Sequence, residues 1–147
     1  MITHRNETIT QKNNIKKRWY IIDATSKNLG RLSSKIAYIL KGKNTETYLP
    51  YDAGNTYIIV INSKNIEITG RKREQKRYKR HSGRPGGLKT ETFDKLQKRR
   101  PNKIIEHAIK GMLPKNSLGR KVFKKLKVYS NSQHPHLSQK PISLNIE

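Results

Sequence analysis

Tyr57-Ile58-Ile59-Val60-Ile61 is the segment that most restricts what this chain can fold into. It is continuously apolar, whereas 29% of the chain is charged and only 32% is hydrophobic. Without polar alternation it suits a β-strand covered on both faces, the usual fate of a strand in a parallel sheet. A second β-prone run, Trp19-Tyr20-Ile21-Ile22, precedes it and closes at Asp23. Between them Leu29, Leu32, Ile36, Ile39 and Leu40 recur at helical spacing and share one face. Asn28 stands where an N-cap would, and Gly42 between two lysines stands where a helix would stop. Strand, helix, strand in this order predicts a βαβ unit with a parallel sheet.

Further elements are predicted downstream. Ile66-Glu67-Ile68 alternates and reads as a small strand or a turn. A short helix is expected around residues 90–98 with Phe93 and Leu96 inward. Another starts near Pro101, where proline suits a first helical turn. It carries Ile104, Ile105, Ala108, Ile109, Met112 and Leu113 on one side before Pro114. A last helix is expected over residues 117–126, with Leu118, Val122 and Leu126 four apart. Val128-Tyr129 reads as a final short strand. Residues 1–18 read as a flexible extension, 19–130 as a single α/β domain, and 131–147 as an extended tail with Pro135, Pro141 and little periodicity. A chain of this length can bury a real core, since ~150 residues hide roughly 70% of their unfolded surface.

Charge supplies the functional signal. Lys and Arg number 33 against 10 Asp and Glu, a formal net charge of +23. Folding alone does not require such self-repulsion, so a polyanion is the expected surrounding, and nucleic acid is the commonest one. The charge is also polarised. Residues 71–130 hold 21 basic and 4 acidic side chains, and the other 87 residues hold 12 and 6. Absence of cysteine removes disulfides and thiolate zinc sites. No apolar run approaches the ~20 residues of a membrane span. Residues 1–18 lack the apolar middle of a secretory signal.

The basic run Arg71, Lys72, Arg73, Lys76, Arg77, Tyr78, Lys79, Arg80 and His81 is the first candidate RNA contact. Its cations neutralise phosphates, and Tyr78 and His81 offer flat faces to an unstacked base. The glycine-rich loop after it contributes Ser82, Arg84, Gly86 and Gly87, followed by Lys89. Backbone can approach a phosphate closely there, yet no Gly-Lys-Ser/Thr ends the loop as in a nucleotide-binding P-loop. The second candidate region is Lys115, Asn116, Arg120, Lys121, Lys124 and Lys125, near helix ends. His134-Pro135-His136 lacks further ligands at metal-binding spacing, which leaves base stacking, tail packing or no role. Asp23 and Asp52 are the only acids to weigh as catalytic, and no motif supports them. Asp23 is more simply a turn or cap residue. No cofactor, metal or small-molecule substrate is expected. The alternatives are an RNA-modifying enzyme and a nonspecific nucleic-acid compactor.

Several motifs in fixed order resemble the bacterial-type large-subunit ribosomal protein thirteen family. They are Trp19–Ala24, Leu29-Gly30-Arg31-Leu32, Leu40–Lys43 and Ile59–Asn62. Tyr78–Gly87, Lys110–Arg120, Leu126–Tyr129 and His134-Pro135-His136 continue the series, so the resemblance runs from Trp19 to about Pro141. It implies a three-layer α/β/α fold around a small, mostly parallel four-stranded sheet, with an extended basic loop and tails. It also implies binding to large-subunit ribosomal RNA, early subunit assembly, neighbouring ribosomal proteins as partners, and Arg31, His134 and His136 as further RNA contacts. Arg84 stands where many members carry an aromatic, and Asn55 where many carry an acid. Neither a stacking role at 84 nor an acidic site near Asp52 is therefore carried over. Lys-, Asn- and Ile-rich usage and the residue 1–18 extension resemble plastid or cyanobacterial members, which points to a plastid, with the bacterial cytoplasm as the alternative.

If ~6–10 phosphates are neutralised, affinity for RNA falls by about 10³–10⁵ between ~50 and ~200 mM salt. Filter binding across that range measures it, and a flat salt response contradicts the electrostatic reading.

Overall fold

The structure is a computed structural model and describes residues 17–46 and 48–146. Most of the extension expected over residues 1–18 therefore lies outside the described residues. The two apolar runs form the middle of one sheet. Strand β1 (Arg18–Asp23) pairs in parallel with β2 (Thr56–Ile61), from Arg18 opposite Thr56 to Asp23 opposite Ile61. Side chains alternate across a strand. Ile58 and Val60 of β2 join Ile22 of β1 in the main core, whereas Ile59 is fully buried outside that cluster. Burial on both faces is the reason β2 needs no polar alternation.

Between these strands runs helix α1 (Leu29–Leu40), which buries Leu29, Leu32, Ile36, Ala37 and Leu40. Asn28 caps it: its side-chain oxygen accepts the Gly30 N–H at 3.4 Å. The helix ends as the glycine signal implied. Gly42 has φ +79°, its N–H donates to the Ile39 carbonyl, and the Lys43 N–H donates to Tyr38. The 66–68 segment makes only an isolated bridge, Glu67 beside Asn28, with Ile66 buried beneath it.

The extended basic loop carries secondary structure of its own. A single helical turn, α2 (Lys72–Gln75), leads into an antiparallel hairpin of β3 (Arg77–His81) and β4 (Leu88–Thr92). Pairing runs from Arg77 opposite Thr92 to His81 opposite Leu88, with the glycine-rich residues as the tip. Strand pairing holds the chain extended through Thr92, so the next helix, α3 (Phe93–Arg99), starts at Phe93 rather than at residue 90.

Pro101 opens α4 (Pro101–Met112), which packs on α1 and α3. Ile104, Ile105 and Ile109 are completely buried. Each such burial contributes about 1.5–3 kcal/mol, which outweighs a helix-propensity cost of at most about 0.7 kcal/mol per residue. Met112, expected inward, is 48% exposed, whereas Leu113, also expected inward, is buried just beyond the helix. Helix α5 (Ser117–Phe123) stops earlier than its four-residue period implied. Leu126 belongs to β5 (Leu126–Val128), because the Ile58 N–H donates to the Lys125 carbonyl and draws the chain into the sheet. Past Ser130, β6 (Ile142–Ser143) pairs with β1, and Ile146 is buried in the core. The completed sheet runs β5-β2-β1-β6 with every pairing parallel. With its helices it is an α/β fold of the three-layer α/β/α type.

Gly119 lies inside α5, where its N–H donates to the Asn116 side chain at 2.8 Å. A Cβ at this position would overlap the Pro114 carbonyl. Gly119→Ala is therefore expected to cost about 1–3 kcal/mol through overpacking. Urea denaturation measures the loss, and an unchanged midpoint contradicts the close approach.

Candidate nucleic-acid interface

Antiparallel pairing fixes which way the basic side chains face. Along β3, Arg77, Lys79, Arg80 and His81 are exposed, and so are Arg71, Lys72, Arg73 and Lys76 before them. Tyr78 alone turns inward. Its ring meets His107 of α4 edge-on at 5.5 Å, and Lys76 Nζ lies 5.5 Å from the ring centre. Burial pushes the Tyr78 phenol above its ordinary pKa, and the hydroxyl is buried without a hydrogen-bond partner among the described residues. The structure thus places Tyr78 as a packing residue under the hairpin rather than as an open stacking face.

The tip is a closed turn. The Ser82 N–H donates to the Gly87 carbonyl at 3.2 Å, and the Gly87 N–H to Arg84 at 3.0 Å. His81 Nδ1 accepts the Gly83 N–H at 2.9 Å, which fixes the imidazole against the turn. Gly86 has φ +71°, and a Cβ on Gly87 would overlap the Ser82 hydroxyl. Both glycines thus shape the turn, and Arg84 and Lys89 project from it exposed.

Between the hairpin and helices α3 and α4 lies a cleft of about 210 Å³. Lys79, Arg80 and Lys89 line it from the hairpin, and Arg99, Arg100 and Lys103 from the helical side. Glu91 is its one carboxylate. A single Arg99 nitrogen reaches both Glu91 oxygens, at 2.6 and 2.5 Å, in the one ion pair among the described residues. Sequence reasoning missed Arg99, Arg100 and Lys103. The available signal was Arg99 and Lys103 four residues apart around Pro101, but only the hairpin's docking shows that they face Arg80 and Lys89.

In the second region Lys115, Arg120, Lys121 and Lys124 are exposed. Asn116 serves as the cap of α5. Lys125 turns inward: its Nζ donates to the Ala53 carbonyl at 3.0 Å and to that of Gly54, and sits 5.8 Å from the Tyr57 ring. Burial lowers its pKa, and the Asp52 carboxylate opposes that shift. Arg31 is exposed on α1. His134 and His136 are half-buried. His136 Nε2 pairs with the Tyr129 hydroxyl at 2.9 Å, and its ring lies 5.2 Å from Trp19, which stacks on Tyr57. His134 Nδ1 accepts the His136 N–H at 3.3 Å.

Among the described residues no cluster of three metal-ligating side chains occurs, and no helix is long and apolar enough to cross a membrane. Asp23, at the carboxyl end of β1, is occupied by the turn. Its Oδ1 accepts from the Thr25 N–H, the Thr25 hydroxyl and Asn62 Nδ2 at 2.7–3.0 Å. Burial alone would raise its pKa, but the two Thr25 bonds, Asn62 and nearby Lys27 together hold it below the ordinary carboxylate value.

The chain matches the model of the family described as "Ribosomal protein L13" over residues 17–135. It is 59% identical over 132 residues to the large ribosomal subunit protein uL13 of a Nostoc species, covering 90% of this chain and 87% of the relative. The uL13 protein of Thermosynechococcus vestitus is 60% identical over 129 residues, with 88% and 85% covered. That of Gloeothece citriformis is 57% identical over 139 residues, with 95% and 92% covered.

A carboxylate with a depressed folded pKa stabilises the fold above its unfolded pKa, and that contribution disappears as pH falls through the folded value. Asp23→Asn is therefore expected to lower the thermal midpoint at pH 7 and to leave it nearly unchanged near pH 2. Equal losses at both pH values contradict the assignment of Asp23 as a charged turn cap.

Proposed function

Because this chain belongs to the ribosomal protein L13 family and is therefore a structural, non-enzymatic component of the large ribosomal subunit, we propose that it binds large-subunit ribosomal RNA and supports early subunit assembly. The observation that carries this reading is the exposed hairpin. It exposes Arg77, Lys79, Arg80, Arg84 and Lys89, and Glu91 is its one carboxylate. Free in solution these charges repel one another, whereas phosphodiesters in the bound state compensate them. Contacts of this type are to the backbone, so affinity comes from charge and specificity mainly from the shape of the folded RNA.

The α5 cations Lys115, Arg120, Lys121 and Lys124 extend the same role on a second element. Cations on separate elements of one rigid domain hold together RNA segments whose phosphates otherwise repel. The remaining surface meets neighbouring large-subunit proteins. Cyanobacterial relatives, together with residue usage rich in Lys, Asn and Ile, support a plastid ribosome as its location.

Reversing Arg77, Arg80 and Arg84 together to Glu is expected to abolish incorporation while leaving the circular dichroism spectrum intact, since all three side chains are exposed. Sucrose-gradient sedimentation reads the outcome. A triple variant that sediments with large subunits at the normal level removes the hairpin from the RNA interface.

A further inference from the structure

The cleft between the hairpin and the α3–α4 corner has a charge arrangement that the isolated protein does not stabilise. Six cations line it against one carboxylate, and Glu91 satisfies only Arg99. Arg100 and Lys103 stand at the amino end of α4, a twelve-residue helix with no acidic residue in its first turn and no side-chain cap. That end carries the positive pole of the helix dipole, where cations are unfavourable and anions favourable. Arg99 is differently placed. It closes α3, where a cation suits the negative pole, and Glu91 fixes its orientation.

We propose that this cleft is a seat for consecutive backbone phosphates of the bound RNA, with Arg100 and Lys103 at the amino end of α4 opposed by Arg80 and Lys89, a cross-strand pair on the hairpin face that also carries Tyr78 and Glu91. The seat rests on the RNA-binding reading above and adds to it a site separate from the glycine-rich tip. Cations from two sides of a groove grip a phosphodiester chain running between them, whereas a flat basic face only attracts it. Glu91 acts as a positioning residue that holds one wall's Arg99 toward the groove. The same phosphates stabilise the amino end of α4, so the free protein tolerates a local electrostatic cost that binding relieves.

The test is the salt dependence of binding to a large-subunit rRNA transcript, together with the thermal midpoint of the free protein. In the Arg100→Gln/Lys103→Gln variant the log–log salt slope is expected to shrink by about 1.5, for two lost phosphate contacts at ~0.7–0.9 each. Its midpoint is expected to stay level or rise, because two cations leave the positive end of a helix. A Lys35→Gln/Lys43→Gln variant lowers net charge equally at exposed positions on and just after α1, outside the cleft, and its slope is expected to stay unchanged. An unchanged slope in the cleft variant overturns the seat, and so does an equal fall in both variants. If the unaltered chain fails to retain the transcript, the RNA-binding function itself is wrong. Retention with an undiminished slope in the cleft variant overturns the seat alone.

Discussion

Two-sided burial of β2 is the constraint on which the rest of the structure depends. Ile58, Ile59 and Val60 have no exposed surface, so the strand needs a covering layer on each face and a partner on each edge. β1 and β5 supply the edges, and α1 and α4 pack over the face that holds Ile58 and Val60. With the scarce apolar residues concentrated here, nearly every cation is free to face outward. In a chain with so little hydrophobic sequence, a more dispersed core would leave charged side chains buried without partners, at a cost of several kcal/mol each.

The hairpin is attached to this core by few residues. Tyr78 reaches down to His107, and Phe93 and Leu96 continue the contact from α3. Arg77, Lys79 and Arg80 of β3 remain exposed. This division of labour suits an RNA-binding protein. A rigid anchor sets the direction of a charged two-stranded arm, and the arm contributes almost nothing to the core. Lys125 shows the opposite use of a cation, spent inside the protein on the carbonyls of Ala53 and Gly54. Adjacent Lys124 is exposed, so two neighbouring lysines in one basic run do entirely different work.

Much of the central fold was readable from particular residues. Asn28 and Gly42 bounded α1, Pro101 opened α4, and the apolar runs gave β1 and β2, because local backbone chemistry and periodicity act within a few residues. The hairpin was not readable. Arg77–His81 carries no apolar alternation, and the pairing with Leu88–Thr92 comes from main-chain hydrogen bonds that any side chain permits. β6 was hidden for a related reason: two residues at a sheet edge leave almost no pattern. Leu118, Val122 and Leu126 kept a helical period across a helix end, since four-residue spacing does not register where the chain changes direction.

The amino-acid order alone determined most of the core, the family and the strongly cationic character of the chain. Apolar periodicity, motif order and net charge are all properties of the chain that survive without coordinates. Tertiary structure alone decided which cations face one another. Charges distant in sequence, such as Arg80 and Lys103, become opposite walls of one cleft only when the hairpin docks on α3 and α4. Coulombic cooperation depends on distance in space, and the sequence records only distance along the chain.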